Sequence, residues 1–193
     1  MSWGYRISIP DTARADGSED ALKFDGRVIT TGRLAPFLER PNGKPKWGLS
    51  RYGQTMFSGS KPRIFWNAKR ESLKTNEKWS RLLRMRVLLP IDAYVESVPT
   101  RRWMSGDRAW IPGLIDPARD GGIVTITESA QEGGVPILLT QEAGLAWLDA
   151  SPWEVDTLLD GSRLEFTQAD IFLSAKLDME SKARPPVTGR KAA

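Results

Sequence analysis

KPRIFWNAKRESLKTNEKWSRLLRMRVLLPIDAYVES, running from Lys61 to Ser97, is the stretch that says most about this chain. It opens on an apolar run, Ile64-Phe65-Trp66, that reads as a strand end, followed by Asn67 and the polar cluster Lys69-Arg70-Glu71. A helical pattern comes next. Thr75 or Asn76 can cap it, and Trp79, Leu82 and Leu83 fall at i, i+3 and i+4 on one face. Val87-Leu88-Leu89 reads as a buried strand ending at Pro90, and a second short strand, Ala93-Tyr94-Val95, delivers Glu96. Residues 61 to 86 hold nine Lys or Arg against two Glu. One amide, one carboxylate and a basic helix thus lie close together in sequence.

Outside this stretch the composition sets bounds. A length of 193 residues suits one domain with a real core, and 40% apolar content with eight Trp argues for a folded protein. The single domain is expected over residues 1–180, with a Lys/Arg/Pro/Gly-rich tail over 181–193 that reads as disordered. No apolar run approaches the ~20 residues of a membrane span. No signal-peptide core is visible near Met1 either, so the expected location is the cytoplasm and the expected state a monomer. The absence of Cys excludes disulfides, thiolate catalysis and Cys-based zinc sites. The absence of His removes the usual general base and the commonest metal ligand. No carboxylate spacing suggests a metal site, and no cofactor is expected. The net charge of +4 leans mildly toward a polyanionic partner.

Trp3, Tyr5, Ile7 and Ile9 alternate as in a strand. Residues 11–26 read as a surface loop, Val28 to Thr31 as a strand, Leu34 to Leu38 as a short helical turn and 53–60 as a Gly/Ser loop. Pro99 to Asp107 reads as a basic loop, and Ala109 to Ile115 as strand broken by Pro112. Ile123 to Thr127 is a strong strand, 128–136 a loop, and Ile171 to Leu173 a final strand. Thr140 caps a helix through Leu148, and Ser151-Pro152-Trp153-Glu154 forms a capping box for another. Short strands with a few capped helices indicate an α+β fold rather than a βαβ series.

The ordered set Asn67-Ala68-Lys69-Arg70-Glu71, Val87-Leu88-Leu89-Pro90 and Asp92-Ala93-Tyr94-Val95-Glu96 resembles the SOS response-associated peptidase (SRAP) family. Trp47-Gly48-Leu49, the strand at Ile123 to Thr127 and Ser174 to Asp178 resemble further segments of it. The resemblance implies a bent, partly barrel-like mixed sheet flanked by helices. It also implies binding of single-stranded DNA and crosslinking to abasic sites through a cysteine exposed at position 2. In that family the amide at Asn67 fixes the opened sugar and the terminal amine, and the carboxylate at Glu96 shuttles a proton beside the nucleophile. Ser2, Asn67 and Glu96 are therefore the expected catalytic set. Arg6, Trp47, Tyr52, Lys69, Arg70, Arg84, Arg86 and Thr127 form the expected DNA-binding set.

The departures bear on mechanism. Ser2 stands where the family has Cys, Glu132 where it has His, and Ser50-Arg51-Tyr52-Gly53 where it has Pro and a second Trp. A terminal amine, with pKa about 8, forms a reversible imine with an aldehyde. A hydroxyl closes a far less durable ring on that imine than a thiol does. The expectation is a SRAP-like DNA binder with lost or weak crosslinking. The alternatives are a phage-type accessory factor that binds a protein, or a residual imine-forming lyase. Each singled-out residue also has a plain structural reading: Asn67 as a turn former, Glu96 as a solvent-facing strand carboxylate, the cations as the wet side of a helix, and the Trp residues as core.

Overall fold

The computed structural model describes residues 4–15, 18–58, 61–96, 102–117, 122–130, 133–161, 164 and 167–168. Within them the chain runs β1 (Gly4–Ile7), α1 (Thr12–Ala15), α2 (Glu19–Leu22), β2 (Val28–Thr30), β3 (Leu34–Glu39) and β4 (Lys46–Arg51). It continues through β5 (Gln54–Ser58), β6 (Lys61–Phe65), β7 (Asn67–Lys69), α3 (Glu77–Leu82), β8 (Arg86–Glu96) and β9 (Arg102–Ile115). β10 (Ile123–Ala130), β11 (Gly133–Pro136), α4 (Gln141–Asp149), α5 (Val155–Gly161) and β12 (Thr167–Gln168) complete it.

The apolar run at Val87 sits at the middle of the sheet. β8 pairs antiparallel with β9 along one edge and with β1 along the other, and touches β3 where Leu38 meets Leu88. The strand order is β11-β10-β9-β8-β1-β2, with β3-β4, β7 and β12 attached beside that path. Among the described strands all pairings are antiparallel except that of β7 with β10, and an isolated bridge between Tyr52 and Ile123 is also parallel. Against β1, Asp92 is an extra residue on β8, since Arg6 faces Ala93 and Ile7 faces Ile91; against β9 the extra residues lie on β9, since Ile91 faces Ala109 and Ala93 faces Ser105. Bulges bend strands and increase twist. The sheet curls into a half-barrel accordingly.

Side chains alternate across this curl. Val87, Leu89, Ile91, Ala109, Ile111 and Ile123 join Tyr5, Ile7, Phe37 and Tyr52 in one core. Leu88, Trp110, Leu114, Val124 and Ile126 face the other way and are covered by α3, α4 and α5 through Trp79, Leu82, Trp147, Val155 and Leu159. β8 is buried on both faces, which is why its sequence lacks polar alternation. Gly144 lets α4 sit close to the sheet, since a Cβ there would lie 3.1 Å from Leu88 Cδ1. Trp147 Nε1 donates to Val87 O at 3.2 Å and fixes the helix on that strand.

The fold class expected from the sequence, α+β with a curled mixed sheet, is the one observed. Several local expectations are corrected. Leu34 to Leu38 is strand, not a helical turn: it pairs antiparallel with β4 from Leu34↔Arg51 to Glu39↔Lys46, and its four successive residues Ala35 to Leu38 are all buried. Residues 54–58 are strand, not loop, because β6 pairs with them from Gln54↔Phe65 to Ser58↔Lys61. The two short strands around Pro90 are one, and the supposed loop before Asp107 is strand from Arg102 onward. Pro112 does not break β9; it sits in register with Leu88. Residues 128–130 and 133–136 are paired strand, β10 against β11, rather than open loop. The polar stretch 11–26 contains the helical turns α1 and α2. Residues 171–173 and the tail 181–193 lie outside the described residues.

Candidate functional site

The segment that follows the Ile64-Phe65-Trp66 run docks lengthwise on β10. β7 pairs in parallel with it, with Asn67 opposite Thr125 and Lys69 opposite Thr127. Asn67 Nδ2 donates to Thr127 Oγ1 at 2.9 Å. Arg70 Nη1 donates to Glu128 Oε1 at 3.2 Å, and Glu71 Oε1 accepts from the Ser129 backbone N–H at 3.2 Å. Three successive residues of β10 thus hold Asn67, Arg70 and Glu71. Gly134 on β11 lies directly over the amide–hydroxyl pair: a Cβ there would fall 2.6 Å from Thr127 Oγ1 and 3.1 Å from Asn67 Nδ2. Only a residue without a side chain fits this cover.

Behind the pair lies a buried hydroxyl chain. Tyr52 OH donates to Tyr5 OH at 3.2 Å, Tyr5 OH and Thr125 Oγ1 are 3.2 Å apart, and Thr125 Oγ1 donates to Trp66 O at 3.2 Å. Both tyrosines are fully buried, and burial pushes both phenols above their ordinary pKa, Tyr52 the further. They are neutral hydroxyls at any ordinary pH. Tyr5 is also in register with Tyr94 of β8. The network therefore ties β1 to β10, to Tyr52 just after β4 and to Trp66 before β7.

Asn67 and Thr127 meet, and Lys69 lies in register beside Thr127 with its side chain exposed. Arg84 is exposed after α3. Trp47 is half-buried against Trp110, ring centroids 6.1 Å apart, and lines a groove with Pro45, Lys46 and Leu49 below α2. Other members of the expected set serve the fold. Tyr52 is core and offers no face to a base. Arg6 Nε donates to Asp92 Oδ1 at 2.6 Å, so it is spent on the bulge of β8. Arg70 also pairs with Asp160 at 2.7 Å and donates to Asp156 O; the Asp160 hydrogen bond raises its pKa. Arg86 donates to the carbonyls of Leu83, Leu148 and Ala150 and stacks over the Trp147 ring. Burial lowers its pKa, but a guanidinium keeps its charge. Glu96 ends β8 opposite Arg102; its side chain, Ser2 and Glu132 lie outside the described residues.

Sequence reasoning missed the Tyr5–Tyr52–Thr125 chain and the acidic partners of Arg6 and Arg70. Alternation in β1 and β10 signals which of these side chains share a face, but their partners sit 47 to 120 residues away. Among the described residues no cluster of acidic side chains is placed to hold a metal ion. No described helix is long and apolar enough to cross a membrane.

No protein-family model matches the chain, and no curated protein matches it in sequence. Solved structures do share its curled half-barrel. A phage-related protein from Bordetella bronchiseptica is 14% identical, with a TM-score of 0.64, over 87% of this chain and 93% of that one. A second protein from Bordetella bronchiseptica is 16% identical at a TM-score of 0.61, over 87% and 99%. A protein from Bacteroides thetaiotaomicron is 14% identical at 0.61, over 89% and 94%. At such identities the likeness is one of fold.

Proposed function

We propose that this protein is a SRAP-like binder of single-stranded DNA that forms no durable covalent product. The observation that supports this best is the Asn67–Thr127 hydrogen bond. Two residues that the resemblance singles out, 60 positions apart, meet at 2.9 Å in a part-buried recess. A primary amide has two N–H donors and an acceptor oxygen, and Thr127 takes one donor. The remaining groups suit a sugar hydroxyl or an aldehyde oxygen. Lys69 and Arg84, both exposed, supply cations for a phosphate backbone, with Arg81 exposed on the same helix as Trp79. Phosphate contacts of this kind position a strand without reading its bases. Once Met1 is removed, Ser2 gives a terminal amine that forms a reversible imine with an opened abasic sugar; without a thiol no stable thiazolidine closes.

The test is an abasic oligonucleotide incubated with the protein and run on a denaturing gel, with and without borohydride. The expected result is salt-sensitive binding, no heat-stable adduct, and a trapped species only with borohydride. Ser2→Cys is expected to add a heat-stable band. A stable adduct with the unaltered chain overturns the claim of lost crosslinking. The phage-related fold neighbour favours one second reading, a phage-type accessory protein that binds a protein partner. Absence of DNA binding even at low salt, for both Ser2 and Cys forms, selects that reading.

A further inference from the structure

β2 is the last strand on its side of the sheet, and among the described residues it pairs with β1 alone. Among the described residues, those from Phe24 to Leu34, β2 with them, line a groove of about 690 Å³. That size falls within the range of peptide- and ligand-sized clefts, about 300–1,000 Å³. Backbone direction follows from the register. Ile7 exchanges hydrogen bonds with Arg27 and Gly26, so alternate residues of β1, Ile7 and Tyr5, turn their backbone groups toward β2. Tyr5 is opposite Ile29, which aims the Ile29 N–H and C=O inward. Val28 N–H and C=O and Thr30 N–H therefore point outward into the groove, while Thr30 O accepts from Arg33 N.

The charge around this edge is one-sided. Arg27 and Arg33 flank β2, both exposed, and neither has a carboxylate partner among the described residues. Arg27 lies over the Phe24 ring at 5.7 Å, which holds its guanidinium at the groove's end. Asp25, the one acid among the described lining residues, accepts from the Ile9 N–H at 2.8 Å. Leu34, 53% exposed, adds an apolar contact at the other end. Charged residues on a short edge strand commonly serve to discourage aggregation. That role accounts for the arginines but not for a concave groove with an apolar end.

We propose that the open edge of β2 accepts an extended acidic peptide from a protein partner as an added strand. Val28 and Thr30 supply the main-chain ladder, Arg27 and Arg33 pair with acidic side chains at its ends, and Leu34 receives an apolar one. A peptide fits better than a nucleic acid strand here. The edge presents a carbonyl as well as N–H groups, and a phosphate offers only acceptors to match them. This inference stands apart from the DNA reading, which rests on Asn67, Thr127, Lys69 and Arg84.

The experiment is selection from a random dodecapeptide display library on the full chain, followed by anisotropy with the leading peptide made synthetically and fluorescein-labelled. Expected is enrichment of Asp or Glu flanking a β-branched or apolar pair. Arg27→Glu with Arg33→Glu is expected to weaken the peptide about tenfold or more, because rim charges steer and select. Thr30→Pro, which removes an outward N–H, is expected to abolish binding. The charge-reversal pair alters exposed side chains only, so it keeps the test decisive if the proline variant misfolds, with circular dichroism as the check. Failure to enrich acidic peptides, or enriched peptides that bind all variants equally, overturns the proposal. So does competition by oligo(dT) that is lost in the same charge-reversal variant, which would give the groove to nucleic acid.

Discussion

Arg70 and Arg86 on one side, Lys69 and Arg84 on the other, come from the same basic stretch and have opposite fates. Arg70 and Arg86 turn inward onto carboxylates and carbonyls, with Arg70 joining β10 to α5 and Arg86 joining the start of β8 to the end of α4. Lys69 and Arg84 stay exposed. A count of cations in a sequence therefore overstates the positive charge a phosphate would meet. The difference is one of chemistry as well as place. A guanidinium's planar fork can satisfy several carbonyl oxygens that would otherwise lack partners where helix and strand ends converge.

That contrast yields graded expectations. The largest effect belongs to Arg86→Ala, which strands the carbonyls of Leu83, Leu148 and Ala150 and removes packing on Trp147. A loss of about 2–4 kcal/mol in urea denaturation is expected; a change below about 0.5 kcal/mol, the range of ordinary surface substitutions, would erase the distinction. Arg70→Ala comes next, at about 1–2 kcal/mol, since its partners Glu128 and Asp160 are themselves partly wet and can turn to solvent. Lys69→Ala and Arg84→Ala are expected to leave stability within about 0.5 kcal/mol. Each is expected to reduce the log-log salt slope of single-stranded DNA binding by about 0.7 if it neutralises one phosphate. An unchanged slope for both would move the DNA-binding face elsewhere.

The smallest effect is acidic. Backbone hydrogen bonding, including the Ser129 N–H, holds Glu71 below its ordinary pKa, and the Ser151 hydroxyl and N–H do the same for Glu154. A carboxylate with a depressed folded pKa stabilises the fold above its unfolded value, near 4.5, and that contribution is lost as pH falls through the lower folded value. The denaturation midpoint should therefore drop between pH 5 and pH 3, and more shallowly in Glu71→Gln. An equal drop in that variant would assign the loss to other groups.

The stretch from Lys61 to Ser97 was legible where local chemistry decides. Asn76 caps α3 through its side chain, accepting from Lys78 N and Trp79 N, and Trp79, Leu82 and Leu83 are buried as their spacing predicts. Thr140 caps α4 in the same way. Legibility fails where a distant partner decides. β5 has the composition of a loop and becomes strand only because β6 lies beside it. Tyr52 has the look of a stacking platform and becomes core because Tyr5 lies across from it, rings 5.3 Å apart and edge-on. The Asn67–Thr127 pair was suggested by order along the chain, whereas the Gly134 that covers it has no local signature.

β8 has a consequence for how the chain is made. Its partner β9 follows it directly, but β1 precedes it by far, as the 86-residue separation of Arg6 from Asp92 shows. At ribosomal speeds of about 5–20 residues per second, β1 waits roughly 4–17 s for the strand that will bury Tyr5 and Ile7. Loop closure over that span comes late and slowly compared with the adjacent hairpin. Until it does, β1 has only the short strand β2 on one edge, its other edge is open, and Tyr5 and Ile7 lack the cover of β8, the kind of segment that chaperones shield.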